Sequence, residues 1–142
     1  MTPKEKAQVA KISIPVADGE EPWTQEELAE VRTQLHDDAV SFEQKYLAAQ
    51  EGLSQLLTEG PDMAGRDPAD VGSSNFERDQ EMSLVANARE MFEQSELALR
   101  LFDEGTYGIC ESCGKPIGKA RLQAFPRATM CVACKQRLER RP

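Results

Sequence analysis

Long apolar runs, aromatic side chains and histidine are scarce in this sequence of 142 residues. No run approaches the roughly 20 apolar residues of a membrane span, so we do not expect a membrane protein. The N-terminus lacks the apolar core of a secretory signal, which favours the cytoplasm. Only 6% of the residues are aromatic, which suits a narrow core and not that of a large enzyme. The single histidine, His36, supports no Cys–His nucleophile pair, and we predict no enzyme.

Charge is distributed unevenly along the chain. Residues 1–104 carry 9 Lys/Arg and 23 Asp/Glu, whereas residues 105–142 carry 8 Lys/Arg and 2 Glu. An acidic body followed by a basic module indicates two surfaces for two different partner regions. Because a nucleic-acid backbone would repel the acidic part, we do not expect the whole chain to lie along DNA.

The first long helix has a complete start signal at residues 23–28. Thr24 and Glu27 form a capping-box pattern, and Trp23 and Leu28 stand where a hydrophobic staple needs them. Apolar residues then recur at steps of three and four, which predicts a coiled-coil seam. The seam comprises Leu28, Val31, Leu35, Ala39, Phe42, Tyr46, Ala49, Leu53 and Leu56. The Glu-Gly-Pro run at residues 59–61 is expected to end the helix.

A second helix is expected after the turn-rich residues 60–73. Ser74 and Glu77 form another capping box, and the helix should end near Gly105. Its seam comprises Leu84, Ala88, Met91, Ser95, Ala98 and Phe102, broadened by Val85, Phe92 and Leu99. Because neither helix can bury its stripe alone, the sequence predicts a mainly α fold built on a long antiparallel coiled-coil hairpin, with its tip at residues 60–73.

This hairpin divides the chain into three parts. Residues 1–22 show no lasting periodicity and are predicted to be a mobile tail. Residues 23–104 form the hairpin. Residues 105–142 form a small module with a short C-terminal helix. The break at residues 60–73 lets the two stripes pair within one chain, so we expect a monomer.

Four cysteines in the C-terminal module form two C-x2-C pairs separated by 17 residues. They are Cys110, Cys113, Cys131 and Cys134. This spacing is typical of a four-cysteine zinc site, because each C-x2-C turn directs two thiolates towards one point. Four protein ligands leave no coordination position for a substrate, so we predict one structural Zn²⁺ that folds the module. A rubredoxin-like iron site and a thiol–disulfide switch are the alternatives.

The residues around the cysteines match a known pattern. They are Tyr107-Gly108-Ile109-Cys110-Glu111-Ser112-Cys113-Gly114, Pro116-Ile117, Arg121-Leu122, Pro126 and Cys131-x-x-Cys134-Lys135. This pattern resembles the C-terminal C4 zinc finger of the DksA/TraR family. The resemblance covers residues 67–138 in detail, and the hairpin plan extends it back to residue 24. It implies a transcription regulator whose hairpin enters the secondary channel of bacterial RNA polymerase, with the finger outside at the rim, and hence a role in stress responses.

The resemblance also gives a role to acidic residues between the two helices. The family's tip pattern is Asp-x-x-Asp-x-Ala, and this chain has Asp67 and Asp70 followed by Gly72 in the Ala position. The resemblance implies that these carboxylates lie near the polymerase active site. Gly72 is the one departure from the tip pattern, and it makes the backbone there more flexible.

The family's site for guanosine tetraphosphate is matched less well. Gln94 and Phe125 stand where that site has basic residues, and only Lys135 is kept. Because binding of this ligand needs several convergent cations, we do not expect it here.

Basic residues of the module form a second group of candidate contact residues. They are Lys115, Lys119, Arg121, Arg127, Lys135 and Arg137. They could contact an acidic polymerase surface or bind DNA weakly. Equally, the basic residues of the C-terminal helix could serve only to suit the helix dipole.

Two other functions remain open at this point. In the first, the cysteines make the chain a redox- or stress-responsive interaction protein. In the second, the chain is a DNA-binding finger protein whose helices form a parallel dimer. The second would show duplex affinity that falls steeply with salt, and the break at residues 60–73 disfavours it.

Overall fold

The structure, a computed structural model, describes residues 2–58 and 68–140. These residues form five helices: α1 (Pro3–Val9), α2 (Gln25–Thr58), α3 (Pro68–Glu104), α4 (Lys119–Ala124) and α5 (Val132–Glu139). The one β-bridge in the described ranges joins Ile109 and Pro116. No helix in these ranges combines the length and apolar character needed to cross a bilayer. The mainly α fold class is therefore confirmed.

Two compact units make up the chain. The core unit contains residues 1–39 and 94–142, and the helix-pair unit contains residues 40–93. In the helix-pair unit, the rings of Tyr46 and Phe92 lie 6.2 Å apart between centroids. The space beside Gly52 on α2 is bounded by Glu81 Oε2, 3.5 Å from where a Cβ would stand. These contacts pair α2 with α3 in antiparallel order within one chain, which confirms the hairpin.

The start of α2 follows the capping box. The Thr24 N–H donates to Glu27 Oε1 at 2.9 Å, and the Glu27 N–H donates to Thr24 Oγ1 at 3.1 Å. Leu28 is buried and Trp23 packs against the same cluster. Two orphan donors of the first turn are thereby satisfied, and the helix begins at Gln25.

The start of α3 lies seven residues before the predicted one, because a capping box at Ser74 would make residue 75 the first of the helix. The helix begins at Pro68, and Ser74 lies inside it, so the prediction of a start at Ser74 was wrong. Proline is well suited to the first helical position, because its φ is preset and its missing N–H would lack a partner there anyway. The predicted end of α2 at residues 59–61 lies outside the described residues.

The end of α3 forms a Schellman motif. Gly105 has a φ of 82°, and its N–H donates to the Phe102 carbonyl at 3.1 Å. The Thr106 N–H donates to the Leu101 carbonyl at 3.0 Å. These two bonds satisfy carbonyls that the helix leaves open and turn the chain into the zinc module.

The predicted seam is confirmed with one exception. Every seam residue of α2 is buried or half-buried. On α3, Leu84 is 51% exposed, while Val85 and Ala88 are half-buried. The stripe therefore passes through Val85 at this level and not through Leu84.

The N-terminal segment packs into the core unit, which differs from the mobile tail that the sequence predicted for residues 1–22. Val9, Ile12 and Ile14 are all buried in the same cluster as Phe102 and Leu122. Three apolar residues at uneven spacing show no periodicity, so the pattern could not be detected. Burial of each such side chain contributes about 1.5–3 kcal/mol.

A buried arginine joins three helices of the core unit. Arg32 on α2 is 7% exposed, and its guanidinium donates to both Asp103 carboxylate oxygens, at 3.0 and 3.3 Å. It also reaches Glu5 Oε1 on α1 at 3.4 Å. A buried cation is tolerated only when it is paired in this way.

Gly108 of the zinc module packs closely against the N-terminal segment. Its φ is 92°, and a Cβ there would stand 2.7 Å from Ile14 Cγ2. We expect Gly108→Ala to destabilise the chain by about 2–4 kcal/mol, because the backbone conformation and the overlap both oppose it. Guanidinium unfolding followed by circular dichroism measures this loss.

Gly105→Ala is the matched control. Gly105 has a φ of 82°, yet nothing lies within 4 Å of the added Cβ. It should carry only the backbone cost of about 1–2 kcal/mol. Equal losses in the two variants would contradict the close packing of Ile14 on Gly108.

Candidate zinc centre

The first ligand pair lies in a tight loop after α3. The Cys110 N–H donates to the Lys115 carbonyl at 2.8 Å, and the Gly114 N–H donates back to the Cys110 carbonyl at 2.9 Å. Gly114 has a φ of 74°, which a side chain would oppose. The loop thereby turns Cys110 and Cys113 to the same side.

The second ligand pair lies at the start of α5. Cys131 is the N-cap residue in an extended conformation, and Cys134 follows in the first turn. A hydrogen bond from the Glu111 N–H to the Thr129 carbonyl, at 2.9 Å, ties the segment before α5 to the first ligand loop. The two pairs are thus fixed to each other through the backbone.

The four sulfur atoms converge on one point. All lie within 4.8 Å of one another, and Cys113 Sγ lies 3.9 Å from Cys131 Sγ. Tetrahedral ligation with Zn–S bonds near 2.3 Å requires sulfur separations of about 3.8 Å. The set therefore fits one structural Zn²⁺. No other group of three or more potential ligands occurs among residues 2–58 and 68–140.

Cys110 and Cys134 have unequal affinities for protons without a metal. Burial alone would raise the pKa of the Cys110 thiol. Hydrogen bonds from the backbone N–H groups of Cys131, Cys113 and Ser112 outweigh burial and lower this pKa to about 6. The neighbouring Cys131 side chain and burial raise the pKa of Cys134 to about 11. A metal that binds all four thiolates must therefore displace protons.

Tyr107 fixes the module on the end of α3. Its ring lies 5.6 Å from the Phe102 ring between centroids, and its hydroxyl donates to the Pro126 carbonyl at 2.6 Å. Burial raises the pKa of Tyr107 well above its ordinary value, so the hydroxyl keeps its proton and its hydrogen bond.

Lys119, one of the predicted contact residues, is engaged within the chain. Its ammonium lies 2.6 Å from Glu27 Oε1 and 5.9 Å from the centre of the Trp23 ring. The hydrogen bond from Lys119, together with the Thr24 N–H, lowers the pKa of Glu27 to about 2. The Gln123 amide also donates to Glu27 at 2.9 Å.

The other predicted basic residues divide into two groups. Arg121 donates to the Met130 carbonyl at 3.0 Å and lies over the Phe125 ring, and Arg137 donates to Cys134 Sγ at 3.5 Å. Lys115 and Lys135 are exposed, and Arg127 is half-buried. Arg121 and Arg137 therefore help to hold the module together, whereas Lys115 and Lys135 are exposed to a partner.

The predicted tip is only partly described. Asp67 lies outside the described residues, and Asp70 lies in the first turn of α3. Gly72 is exposed within α3, and nothing lies within 4 Å of where its Cβ would stand. The roles of Asp67, Asp70 and Gly72 therefore stay predictions.

Sequence reasoning missed Glu20. Its Oε1 accepts from the N–H groups of Ala17 and Lys119, each at 2.8 Å, and its Oε2 accepts from the Ala120 N–H at 2.9 Å. These bonds, led by that of Ala120, lower the pKa of Glu20. No local pattern marks this residue, because two of its three partners lie 99 and 100 positions along the chain.

Comparison with known proteins identifies relatives of this arrangement. Residues 105–140 match the prokaryotic dksA/traR C4-type zinc finger. The chain is 40% identical over 108 residues to the RNA polymerase-binding transcription factor DksA of Caulobacter vibrioides, covering 70% of this chain and 75% of that protein. It is 35% identical over 69 residues to the protein of the same name from Escherichia coli, covering 49% and 46%.

A solved structure shows the same fold over nearly the whole chain. It is that of the transcription factor DksA2 from Pseudomonas aeruginosa, with a TM-score of 0.64 and 25% sequence identity. The match covers 95% of each chain.

Removal of one ligand should release the metal. We expect one Zn²⁺ per chain, and we expect Cys110→Ser to weaken zinc affinity by more than about a hundredfold, because it removes a buried thiolate from a closed set. Competition with a chelator followed by metal analysis measures this. Val132→Ala, an exposed change between the second pair, should retain zinc; retention by Cys110→Ser as well would contradict the site.

The Glu27–Lys119 contact should make stability depend on pH. The pKa of Glu27 is lowered from 4.5 to about 2 in the folded chain, so its stabilising effect is present above pH 4.5 and is lost as pH falls towards 2. Wild type should therefore exceed Glu27→Gln in urea stability at pH 6, and the difference should shrink by pH 3.

Glu26→Gln is the control for this pH dependence. Glu26 is exposed in the same first turn of α2, so its replacement should leave the pH dependence of unfolding unchanged. A constant difference between wild type and Glu27→Gln from pH 6 to pH 3 would contradict the ionic contribution of the pair.

Proposed function

Because this chain belongs to the DksA/TraR family of prokaryotic C4 zinc-finger proteins, we propose that it regulates transcription by binding bacterial RNA polymerase. The observation that carries the proposal is 40% identity over 108 residues to a relative named as an RNA polymerase-binding transcription factor. Such a partner would place the protein in the cytoplasm.

The hairpin is the part proposed to enter the secondary channel. Helices of 34 and 37 residues are about 50 and 55 Å long at 1.5 Å per residue. The helix-pair unit carries 4 Lys/Arg and 11 Asp/Glu, a net charge of −7. A narrow pair of helices with this charge suits a channel lined by basic groups, and the attraction would speed association.

The tip carboxylates are proposed to act by charge. Asp67 and Asp70 lie in or next to the connection between α2 and α3. Near the polymerase active site they would place negative charge close to its catalytic Mg²⁺ and the mobile elements around it. The chain would thus alter the chemistry of polymerase without catalysing a step itself, as expected of a regulator that is not an enzyme.

The alternatives differ in how they fit the structure. A DNA-binding protein with a parallel dimeric coiled coil would pair each long helix with the same helix of a second chain, whereas the Tyr46–Phe92 contact pairs α2 with α3 within one chain. Redox sensing stays a prediction. Cys113 is the exposed ligand, and an oxidant would reach it first.

The tip residues provide the sharpest test. We expect Asp67→Asn combined with Asp70→Asn to bind core RNA polymerase within about threefold of wild type, because a tip makes few of the contacts of a long hairpin. The effect on transcription initiation in vitro should be lost. Titration of polymerase and a promoter assay, run on the same preparations, measure the two quantities.

The control for this test removes the same charge elsewhere. Glu77→Gln combined with Asp79→Asn neutralises two exposed carboxylates on α3 and should keep the transcriptional effect.

Binding of this chain to polymerase should also be mutually exclusive with binding of a cleavage factor of the Gre type that occupies the secondary channel. Full activity of the tip variant would sink the tip role, and simultaneous binding of both factors would sink the channel placement.

A further inference from the structure

Helix α4 is capped from a distant part of the chain. Its own N-cap residue, Gly118, makes no side-chain hydrogen bond, so the first N–H groups need another acceptor. The Glu20 carboxylate supplies it by accepting from Lys119 and Ala120. Both of its oxygens are used, and its third bond, from Ala17, orders the turn that carries it.

Two more contacts hold the same helix. Glu27 on α2 accepts from Lys119 and Gln123, one turn apart on α4. Ile14 occupies the space that Gly108 leaves open, beside Leu122. Polar and apolar contacts from residues 12–27 therefore meet α4 and the backbone before the first ligand pair.

None of these contacts uses the zinc ligands. Glu20, Glu27 and Ile14 touch the part of the module between the cysteine pairs and the turn before them, whereas the sulfurs are held by the loop at residues 110–115 and the start of α5. Besides the packing of Tyr107 on Phe102, the module is thus held by two separate sets of contacts, one around the zinc ligands and one to residues 12–27.

We propose that residues 12–27 form a clamp that holds α4 in place within the core unit independently of Zn²⁺, and that Glu20 is the positioning residue of this clamp. The second part rests on the proposed function: the clamp presents the zinc module to RNA polymerase in one orientation. If the module loses this orientation, only a fraction of the molecules can bind polymerase, and the apparent Kd equals the intrinsic Kd divided by that fraction. The effect at saturating concentration is unchanged.

Amide hydrogen exchange tests the clamp in the full zinc-loaded chain. Glu20→Ala should speed exchange of the Lys119 and Ala120 amides by about tenfold or more. In the wild type, α4 must break the bonds from these amides to the carboxylate before it can open, and the variant lacks those bonds. Glu21→Ala, at the exposed neighbouring position, is the matched control. Unchanged exchange in Glu20→Ala, with one zinc per chain retained, overturns the clamp.

Metal removal tests the independence of the two sets of bonds. After chelation, the amides of Cys110 and Gly114 should exchange freely, because their loop is held by the ligands. Those of Lys119 and Ala120 should stay protected. If all four amides lose protection to the same extent, the metal holds α4 and the clamp is overturned.

Polymerase titration tests the positioning role. Glu20→Ala should raise the concentration for half-maximal effect by about tenfold while leaving the maximal effect unchanged. A purely structural role leaves both unchanged, and that result overturns positioning. Absence of binding by the wild-type chain overturns the proposed function and the positioning role together, whereas the exchange measurements then still decide the clamp.

Discussion

The zinc module cannot bury enough apolar surface to fold alone. Much of the core unit therefore supplies apolar side chains on which the module packs. Tyr107, Ile117 and Leu122 are its buried apolar side chains apart from two cysteines, and chains below about 40 residues usually need metals or partners to fold. The module therefore lies on Phe102 from α3 and on Ile14 from the N-terminal segment. The Schellman turn after α3 and the small size of Gly108 both allow this packing.

Features that depend on residues close together in the sequence could be predicted. The capping box joins Thr24 and Glu27, three residues apart, and the seam repeats at short steps. The cysteine spacing likewise encodes a metal site, because each C-x2-C turn directs two sulfurs by its own backbone geometry. Helix hairpin and zinc ligands could therefore be predicted from residues that are near one another in sequence.

Tertiary contacts decided the rest. Glu20 meets Lys119 and Ala120 across 99 and 100 positions, so no window of sequence contains both sides of the bond. At the start of α3 two local signals competed, Pro68 and Ser74, and the earlier one begins the helix. Leu84 fits the period of the seam, yet Val85 is the residue that the hairpin partly buries.

The contrast between an acidic body and a basic module is weaker in the structure than in the sequence. Lys119 is paired with the Glu27 carboxylate, and four thiolates with one Zn²⁺ add two negative charges. Charges paired inside a chain contribute little to the field that a partner meets. The acidic helix pair is therefore the dominant electrostatic surface. The core unit, with 13 Lys/Arg and 14 Asp/Glu, is close to neutral, because the acidic N-terminal residues offset the basic zinc module.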